Sequence, residues 1–309
     1  MAYARWVSPW LRNTYIAHIN VSEQVRCVFV AEVDGQLLQD AREALGVEIV
    51  RQLRGGAQKE VQLVRRGDED FVLKVVSLDG APPDALRRAE REVELLGSLD
   101  SPNVVQVASQ LVELGDPVRG AAWLEEHLDG TDLGSLLFVR QWSWDETSTM
   151  GLHVARGLGA AHATNVVHRD LSANNVRCLS SGDFKVMDFG FARHTLRSGL
   201  TVAGQPGTPG YASPEHLHGY SGAPTAASDV FSAGILMFAA LTGQLPIPYA
   251  GDDADYARRL LHVRHPDLAA MRPDLKPAQR ALVRRCLHAQ PARRYLNGSR
   301  LADALEALA

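Results

Sequence analysis

The spacing of hydrophobic positions changes character along the chain of 309 residues. Over 47–53, 61–65 and 71–76 apolar side chains alternate with polar ones, and Gly and Asp fall between the runs, which predicts short strands joined by turns. A helix is predicted over 83–99, opened by Pro82 and Pro83 and carrying apolar residues at helical spacing. Two more strands are expected over 104–114 and 121–126. After Gly130 the pattern is mostly helical to the end, interrupted by short strands over 176–179 and 184–186. Residues 1–45 differ from both: an aromatic stretch, an alternating run over 25–33 that reads as a strand, and a helical pattern over 36–45. No chemical motif occurs there, so this segment is expected to pack or dock rather than to catalyse. No internal repeat is visible.

Composition narrows the class. The length exceeds one average domain and suits a two-lobed fold, or one domain with an extension. Apolar residues make up 46% and charged ones 22%, enough for a sizeable core in a water-soluble protein. The net charge of -4 gives no electrostatic basis for binding nucleic acid or an anionic membrane. The longest apolar run, 233–241, falls short of the roughly 20 residues that span a bilayer and is expected to be a buried helix. The N-terminus lacks the pattern of a signal peptide, so a cytoplasmic location is expected. Cys27, Cys178 and Cys286 are widely spaced and odd in number, which suits reduced thiols better than a disulfide or metal site.

Chemistry is concentrated in two runs. His168-Arg169-Asp170-Leu171-Ser172-Ala173-Asn174-Asn175 reads H-R-D-L-x-x-x-N, and thirteen residues after Asn175 comes Asp188-Phe189-Gly190. An acid, an amide five residues on and a second acid can hold divalent cations and a nucleophilic hydroxyl around one triphosphate. With the strands predicted between them, the pair resembles the catalytic core of the protein kinase family, specifically the eukaryotic-like serine/threonine kinases of bacteria. The resemblance covers about residues 47–307. It implies an α+β bilobal fold: a small β-rich N-lobe with one main helix (about 46–126) and a larger helical C-lobe (about 130–307), with 1–45 as an extension open to a regulatory partner. Only Lys59, Lys74, Lys185 and Lys276 are lysines among 32 basic residues, an arginine bias that fits a GC-rich bacterial source.

The resemblance also implies roles. Lys74, in Phe71-Val72-Leu73-Lys74, stands where the family's phosphate-bridging lysine lies, with Glu92 as its partner on the helix and Glu90 or Glu94 as alternatives. Asp170 would accept the proton of the substrate hydroxyl, and Asn175 and Asp188 would ligate magnesium beside ATP. Gly56, Val61, Glu126 and Leu128 would surround the nucleotide. Asp132 matches a position that contacts ribose or a basic substrate residue, and reads equally well as a helix N-cap. His168 and Phe189 are expected to stack in the core. Arg169 suits a pocket for a phosphorylated activation segment, which would run from Asp188 to Glu215 and carries Thr195, Ser198 and Thr201 beside Arg193 and Arg197. Gly207-Thr208-Pro209-Gly210-Tyr211-Ala212-Ser213-Pro214-Glu215 looks like the segment's ending, with Ser213 in place of alanine. Glu215 is expected to pair with Arg294, and Asp229 to hold the backbone of the catalytic loop. These features imply a protein as acceptor and disfavour a small-molecule kinase. Ser172, where serine/threonine kinases usually carry lysine, does not identify the acceptor hydroxyl. Thr208 and the bulky Phe191 favour serine or threonine.

Three departures from the family pattern stand out. The glycine-rich loop reduces to Arg54-Gly55-Gly56-Ala57-Gln58-Lys59-Glu60-Val61, keeping only the middle glycine. Lys59 there reads first as a solvated loop lysine, with a phosphate contact as the alternative. Val72 replaces a small alanine, Glu125 falls at the back of the adenine pocket, and Arg177 falls on its floor. A buried unpaired charge is costly, so Glu125 and Arg177 must be solvated, paired or shifted in register. The resulting expectation is an ATP- and magnesium-dependent kinase acting on protein serine or threonine and on its own activation segment. The alternative is a pseudokinase that binds partners without catalysis.

Overall fold

The helical pattern over 36–45, read as the end of the N-terminal extension, becomes α1 (Gly35–Leu45). The Asp34 side chain caps it by accepting from the Leu37 N–H at 2.6 Å, and Gly46 ends it in the left-handed region at φ 62°. Leu37 and Ala41, one helical turn apart, are buried against the N-lobe sheet. In this computed structural model the described residues are 33–53, 59–190, 193–194, 208–216, 223–262 and 266–308. The readings placed on the strand over 25–33, on Cys27, Gly56 and Phe191, and on Thr195, Arg197, Ser198 and Thr201, therefore lie outside them.

The N-lobe sheet contains β1 (Glu48–Gln52), β2 (Glu60–Arg66) and β3 (Glu69–Ser77); α2 (Ala85–Ser98) then crosses to β4 (Val112–Leu114) and β5 (Gly120–Glu126). The order is β1-β2-β3-β5-β4, and all pairs are antiparallel. Gly120 is required where β5 meets α1, because a Cβ there would stand 2.7 Å from the Leu37 side chain and 2.8 Å from the Val76 carbonyl. Arg119 ties the same corner together, bonding Asp34 at 2.5 Å and Asp79 at 2.8 Å.

The strand expected over 104–114 is mostly absent. Only Val112–Leu114 forms a ladder, while Val104 and Val107 make isolated bridges, to Val186 and to Glu125. The reason is a change of partner: the Asn103 side chain and the Val105 N–H bond to the carbonyls of Phe184 and Val186 in the C-lobe, whereas the Ala108 N–H returns to the Leu124 carbonyl of β5. The apolar residues of this stretch serve two lobes, so their spacing imitates a strand.

In the C-lobe, β6 (Gly130–Asp132) precedes α3 (Trp144–Ala163), which leads into β7 (Val166–Val167) and the catalytic loop. Beyond the loop lie β8 (Val176–Leu179), β9 (Phe184–Val186) and β10 (Arg193–His194), the last pairing with β7. Then follow α4 (Ala226–Thr242), α5 (Asp253–His262), α6 (Leu268–Met271), α7 (Pro277–Cys286) and α8 (Gly298–Glu306). A capping box fixes the start of α3: the Ser143 hydroxyl accepts from the Glu146 N–H, and the Glu146 carboxylate accepts from the Ser143 N–H. The apolar run over 233–241 is the buried middle of α4, and no helix of the described residues is long and apolar enough to cross a membrane. The architecture is a β-sheet lobe with one main helix and a larger helical lobe, as the sequence implied.

Two stability measurements follow. Leu37→Ala is expected to cost about 2–5 kcal/mol, because the leucine is buried between α1 and the sheet; an unchanged urea midpoint would show that α1 does not belong to the N-lobe core. The Arg140 guanidinium, with help from the Ser143 N–H, holds the Glu146 carboxyl down to about 2, against an ordinary value of 4.5. A depressed carboxylate stabilises the fold above its ordinary pKa and ceases to as pH falls through the depressed one. The stability difference between wild type and Glu146→Gln, small because the pair is exposed, should therefore shrink between pH 6 and pH 3.

Candidate active site

The catalytic loop is held from below by Asp229, in the first turn of α4 and only 1% exposed. One carboxylate oxygen accepts from the Arg169 N–H at 2.9 Å. The other accepts from the His168 N–H at 2.8 Å and contacts His162 Nε2 at 2.9 Å. His162 Nδ1 accepts the Gly298 N–H at 3.0 Å, so its proton sits on Nε2 and is donated to Asp229. Burial pushes the Asp229 carboxyl up, but the His162 hydrogen bond and the neighbouring histidines outweigh it and keep the group below the ordinary carboxylate range. This clamp supports Arg169 in the left-handed region at φ 70°, a conformation costly for a side-chain-bearing residue.

Asp170 is thereby presented at the cleft. Its Oδ1 accepts two bonds from Thr208, from the N–H and from the hydroxyl, both at 2.8 Å. Asn175 closes the loop by donating from Nδ2 to the Asp170 carbonyl at 2.8 Å. Asp188 follows β9 with φ 61°, a second strained residue at the site. Its strand is steadied by His168, whose Nε2 lies 3.1 Å from the Met187 carbonyl and whose ring tilts against Phe189 at 4.6 Å between centroids. The expected stacking of His168 and Phe189 is present.

Across the cleft, four charged groups from the sheet side and α2 meet one another and Asp188. Lys74 lies opposite Val61 on β2 and Trp123 on β5. It pairs with Glu92 at 3.3 Å, so Glu92, rather than Glu90 or Glu94, is the helix partner. A closer partner is Glu125, at 2.7 Å, which also accepts from the Trp123 indole N–H at 3.0 Å. The anomalous acid at the back of the pocket is thus buried and paired. Lys59 does not behave as a solvated loop lysine: its Nζ lies 2.6 Å from Glu92 and 3.3 Å from Asp188. The expectation of a solvated lysine is corrected by two carboxylates within bonding distance of its ammonium. Burial lowers both lysine ammoniums, yet the surrounding carboxylates raise them above the ordinary lysine value, so both stay charged at neutral pH. Burial likewise raises the Asp188 carboxyl, and Lys59 ahead of Lys74 brings it well below the ordinary range.

At the end of β5, Glu126 accepts from the Gln106 N–H at 2.8 Å and from Lys185 at 2.6 Å. Arg177 is paired rather than orphaned, donating to the Leu128 carbonyl at 3.1 Å and to Asp132 at 2.5 Å. Asp132 precedes a short helical turn but makes no capping bond with its side chain; the carboxylate is engaged by Arg177. That removes the N-cap reading.

The segment's ending is anchored as expected by Glu215 and Arg294, which form two bonds at 2.7 and 3.0 Å with the arginine 3% exposed. A second anchor was not anticipated. Buried His216 accepts from the Ser213 N–H at Nδ1, where the Ser213 hydroxyl also lies at 2.9 Å, and reaches the Arg169 carbonyl at 2.8 Å with Nε2. Burial lowers the His216 imidazole, which suits a neutral ring donating from Nε2. The serine in place of alanine, three residues before a histidine, was the available signal.

The sequence matches the family described as Protein kinase domain over residues 48–303. It is 32% identical to the serine/threonine-protein kinase PknA of Mycobacterium tuberculosis over 232 residues, 73% of this chain and 52% of that protein. It is 30% identical to the probable serine/threonine-protein kinase PknB of Lactococcus lactis over 224 residues, 70% of this chain and 34% of that protein. It is 27% identical to the serine/threonine-protein kinase PrkC of Bacillus subtilis over 254 residues, 80% of this chain and 38% of that protein. The chain spans about half the length of the mycobacterial relatives it matches. With its lobes, catalytic loop and segment anchors arranged as described, the chain belongs to the protein kinase domain family, among its bacterial serine/threonine members.

Proposed function

We propose that this chain transfers the γ-phosphoryl group of ATP to serine or threonine hydroxyls of proteins, with Asp170 as the proton acceptor. The observation that carries this reading is the pair of hydrogen bonds that the Thr208 N–H and hydroxyl donate to Asp170 Oδ1. It fixes the carboxylate's orientation and leaves Oδ2, which has no hydrogen-bond donor among the described residues, to meet a hydroxyl. In the transfer, the hydroxyl oxygen bonds to the γ-phosphorus as the bond from that phosphorus to the β–γ bridging oxygen breaks. The hydroxyl proton passes to Asp170, and the nucleoside diphosphate leaves with the electron pair.

Asn175 and Asp188 are the residues that would hold magnesium, and their donor set fits a hard cation. Asp188 is an ionised carboxylate, and Asn175 spends its nitrogen on the Asp170 carbonyl, so its oxygen remains for a metal. When bound, the metal neutralises charge on the transferring phosphates. Glu126 and Leu128 lie on the segment joining the lobes, where the adenine would lie; the Leu128 carbonyl is already taken by Arg177 and Asp132 by the same arginine. Phosphorylation of Thr195, Ser198 or Thr201 by the enzyme itself is part of the same proposal, with Arg169 as a cation on the catalytic loop side.

Incubation of the purified chain with labelled ATP and magnesium tests the reaction. Label is expected on the protein or on an added protein substrate, as phosphoserine or phosphothreonine. Asp170→Asn is expected to lower the rate about 10²–10⁴-fold without loss of folding. Tight ATP binding with no transfer by the wild type would instead identify a binding module. Thr208→Ala should reduce turnover more than Thr208→Ser, which keeps the hydroxyl; equal rates for the two would remove the hydroxyl from the account of Asp170. Asp229→Ala leaves the N–H groups of His168 and Arg169 without their acceptor, at about 1–3 kcal/mol each where they stay buried, and should show as a lower thermal midpoint together with lost activity.

A further inference from the structure

We infer that Lys59, and not Lys74, is the lysine that contacts the nucleotide phosphates, while Lys74 is a positioning residue locked between Glu92 and Glu125. This rests on the phosphotransferase reading above for its choice of ligand, a nucleoside triphosphate with magnesium.

The first ground is what each ammonium touches. Lys59 Nζ bridges Glu92 and Asp188, at 2.6 and 3.3 Å, so it stands beside the carboxylate proposed to hold the metal. Lys74 Nζ is turned the other way, toward Glu125 at 2.7 Å, and keeps a longer contact of 3.3 Å to Glu92. Between a metal-binding carboxylate and the acid at the back of the pocket, the first is the place from which a cation meets phosphate oxygens.

The second ground is accessibility. The Lys59 side chain is 20% exposed and that of Asp188 41%, against 7% for Lys74 and 4% for Glu125. A ligand entering the cleft reaches Lys59 and Asp188 without disturbing a buried pair. A phosphate that drew Lys74 away would leave buried Glu125 with the Trp123 indole as its one other side-chain donor among the described residues, an uncompensated charge.

The third ground is the backbone. Lys59 lies two residues before Val61, and Val61 is the register partner of Lys74, so the alternation of a strand puts Lys59 and Lys74 on the same, cleft-facing side of the sheet. Gly190 of the D-F-G run leaves room on the other side: a Cβ there would stand 3.0 Å from Lys59 Nζ and 3.0 Å from Glu92 Oε2. Both lysines flank Trp123, at 5.5 and 5.8 Å from its ring, which fills the space between them with an apolar wall. Glu125 explains why Lys74 is diverted, and Lys59 brings a cation beside Asp188 where the sequence keeps only one of the family's loop glycines.

The test compares equilibrium binding of ATP with magnesium and of adenosine, because a phosphate contact affects the first and not the second. Binding is measured by calorimetry on the whole chain, alongside kcat and KM. Lys59→Met is expected to weaken ATP about 10- to 100-fold, to leave adenosine within about twofold, and to lower kcat. Lys59→Gln replaces it if the methionine variant does not fold. Lys74→Met alone strands buried Glu125, while Glu92 keeps Lys59, so the informative partner is Lys74→Met with Glu125→Met, which removes the buried pair together. That double variant should keep most of the preference for ATP over adenosine and lose clearly less than Lys59→Met. If Lys59→Met keeps the preference, or the double variant loses as much or more, the assignment is overturned. A wild type that binds ATP but transfers no label refutes the proposed activity alone, and the binding ratios still decide between the lysines. A wild type that does not bind ATP overturns both.

Discussion

The carboxylate of Glu92 is the point on which the N-lobe side of the cleft depends. It is 2% exposed, it comes from the middle of α2, and it divides its two oxygens between Lys59, just before β2, and Lys74 of β3. A buried carboxylate is unstable unless it is paired, and here the pairing determines where α2 lies against the sheet. Lys59 extends the chain of charge to Asp188 and Lys74 extends it to Glu125. The N-lobe helix, the loop before β2, the back of the pocket and the D-F-G segment are therefore coupled through one ionic cluster. Its three carboxylates against two ammonium groups leave a single negative charge, which suits a site that receives a divalent cation.

The C-lobe solves a different problem, that of holding strained backbone. Arg169 and Asp188 both adopt positive φ, and each is braced by neighbours: Arg169 by Asp229 below and His216 from the segment's end, Asp188 by His168 and Phe189 alongside it. The histidines have matched tautomers. His162 and His216 each accept a backbone N–H at Nδ1 and direct Nε2 to the loop or its clamp, so each ring transmits position from one backbone segment to another. Arg294 performs the equivalent task with charge, and its guanidinium also stacks over Phe231 at 4.6 Å.

Much of this was legible in the sequence because the chemistry demands fixed intervals. The spacing of Asp170, Asn175 and Asp188, the pair Glu215 and Arg294, and the acid Asp229 at the start of an apolar helix could each be read before any coordinates. The sheet strands and α2 were found to within a few residues. What failed to show was set by packing rather than by periodicity. The stretch 104–111 alternates like a strand but divides its bonds between two lobes. Lys59 looks like a loop lysine because nothing local says that Glu92 and Asp188 lie 33 and 129 positions further on yet within bonding distance. Glu125 and Arg177 appeared as unexplained charges; the rule that buried charges are paired was sound, and only the partners, Lys74 and Asp132, required the fold.

The most direct measurement is a crystal structure of the chain with magnesium and a non-hydrolysable ATP analogue. The expected result places Lys59 Nζ on a phosphate oxygen, the metal on Asn175 and Asp188, and Lys74 still between Glu92 and Glu125. A phosphate bound by Lys74, with Lys59 turned to solvent and Glu125 unpaired, would contradict the division of roles between the two lysines.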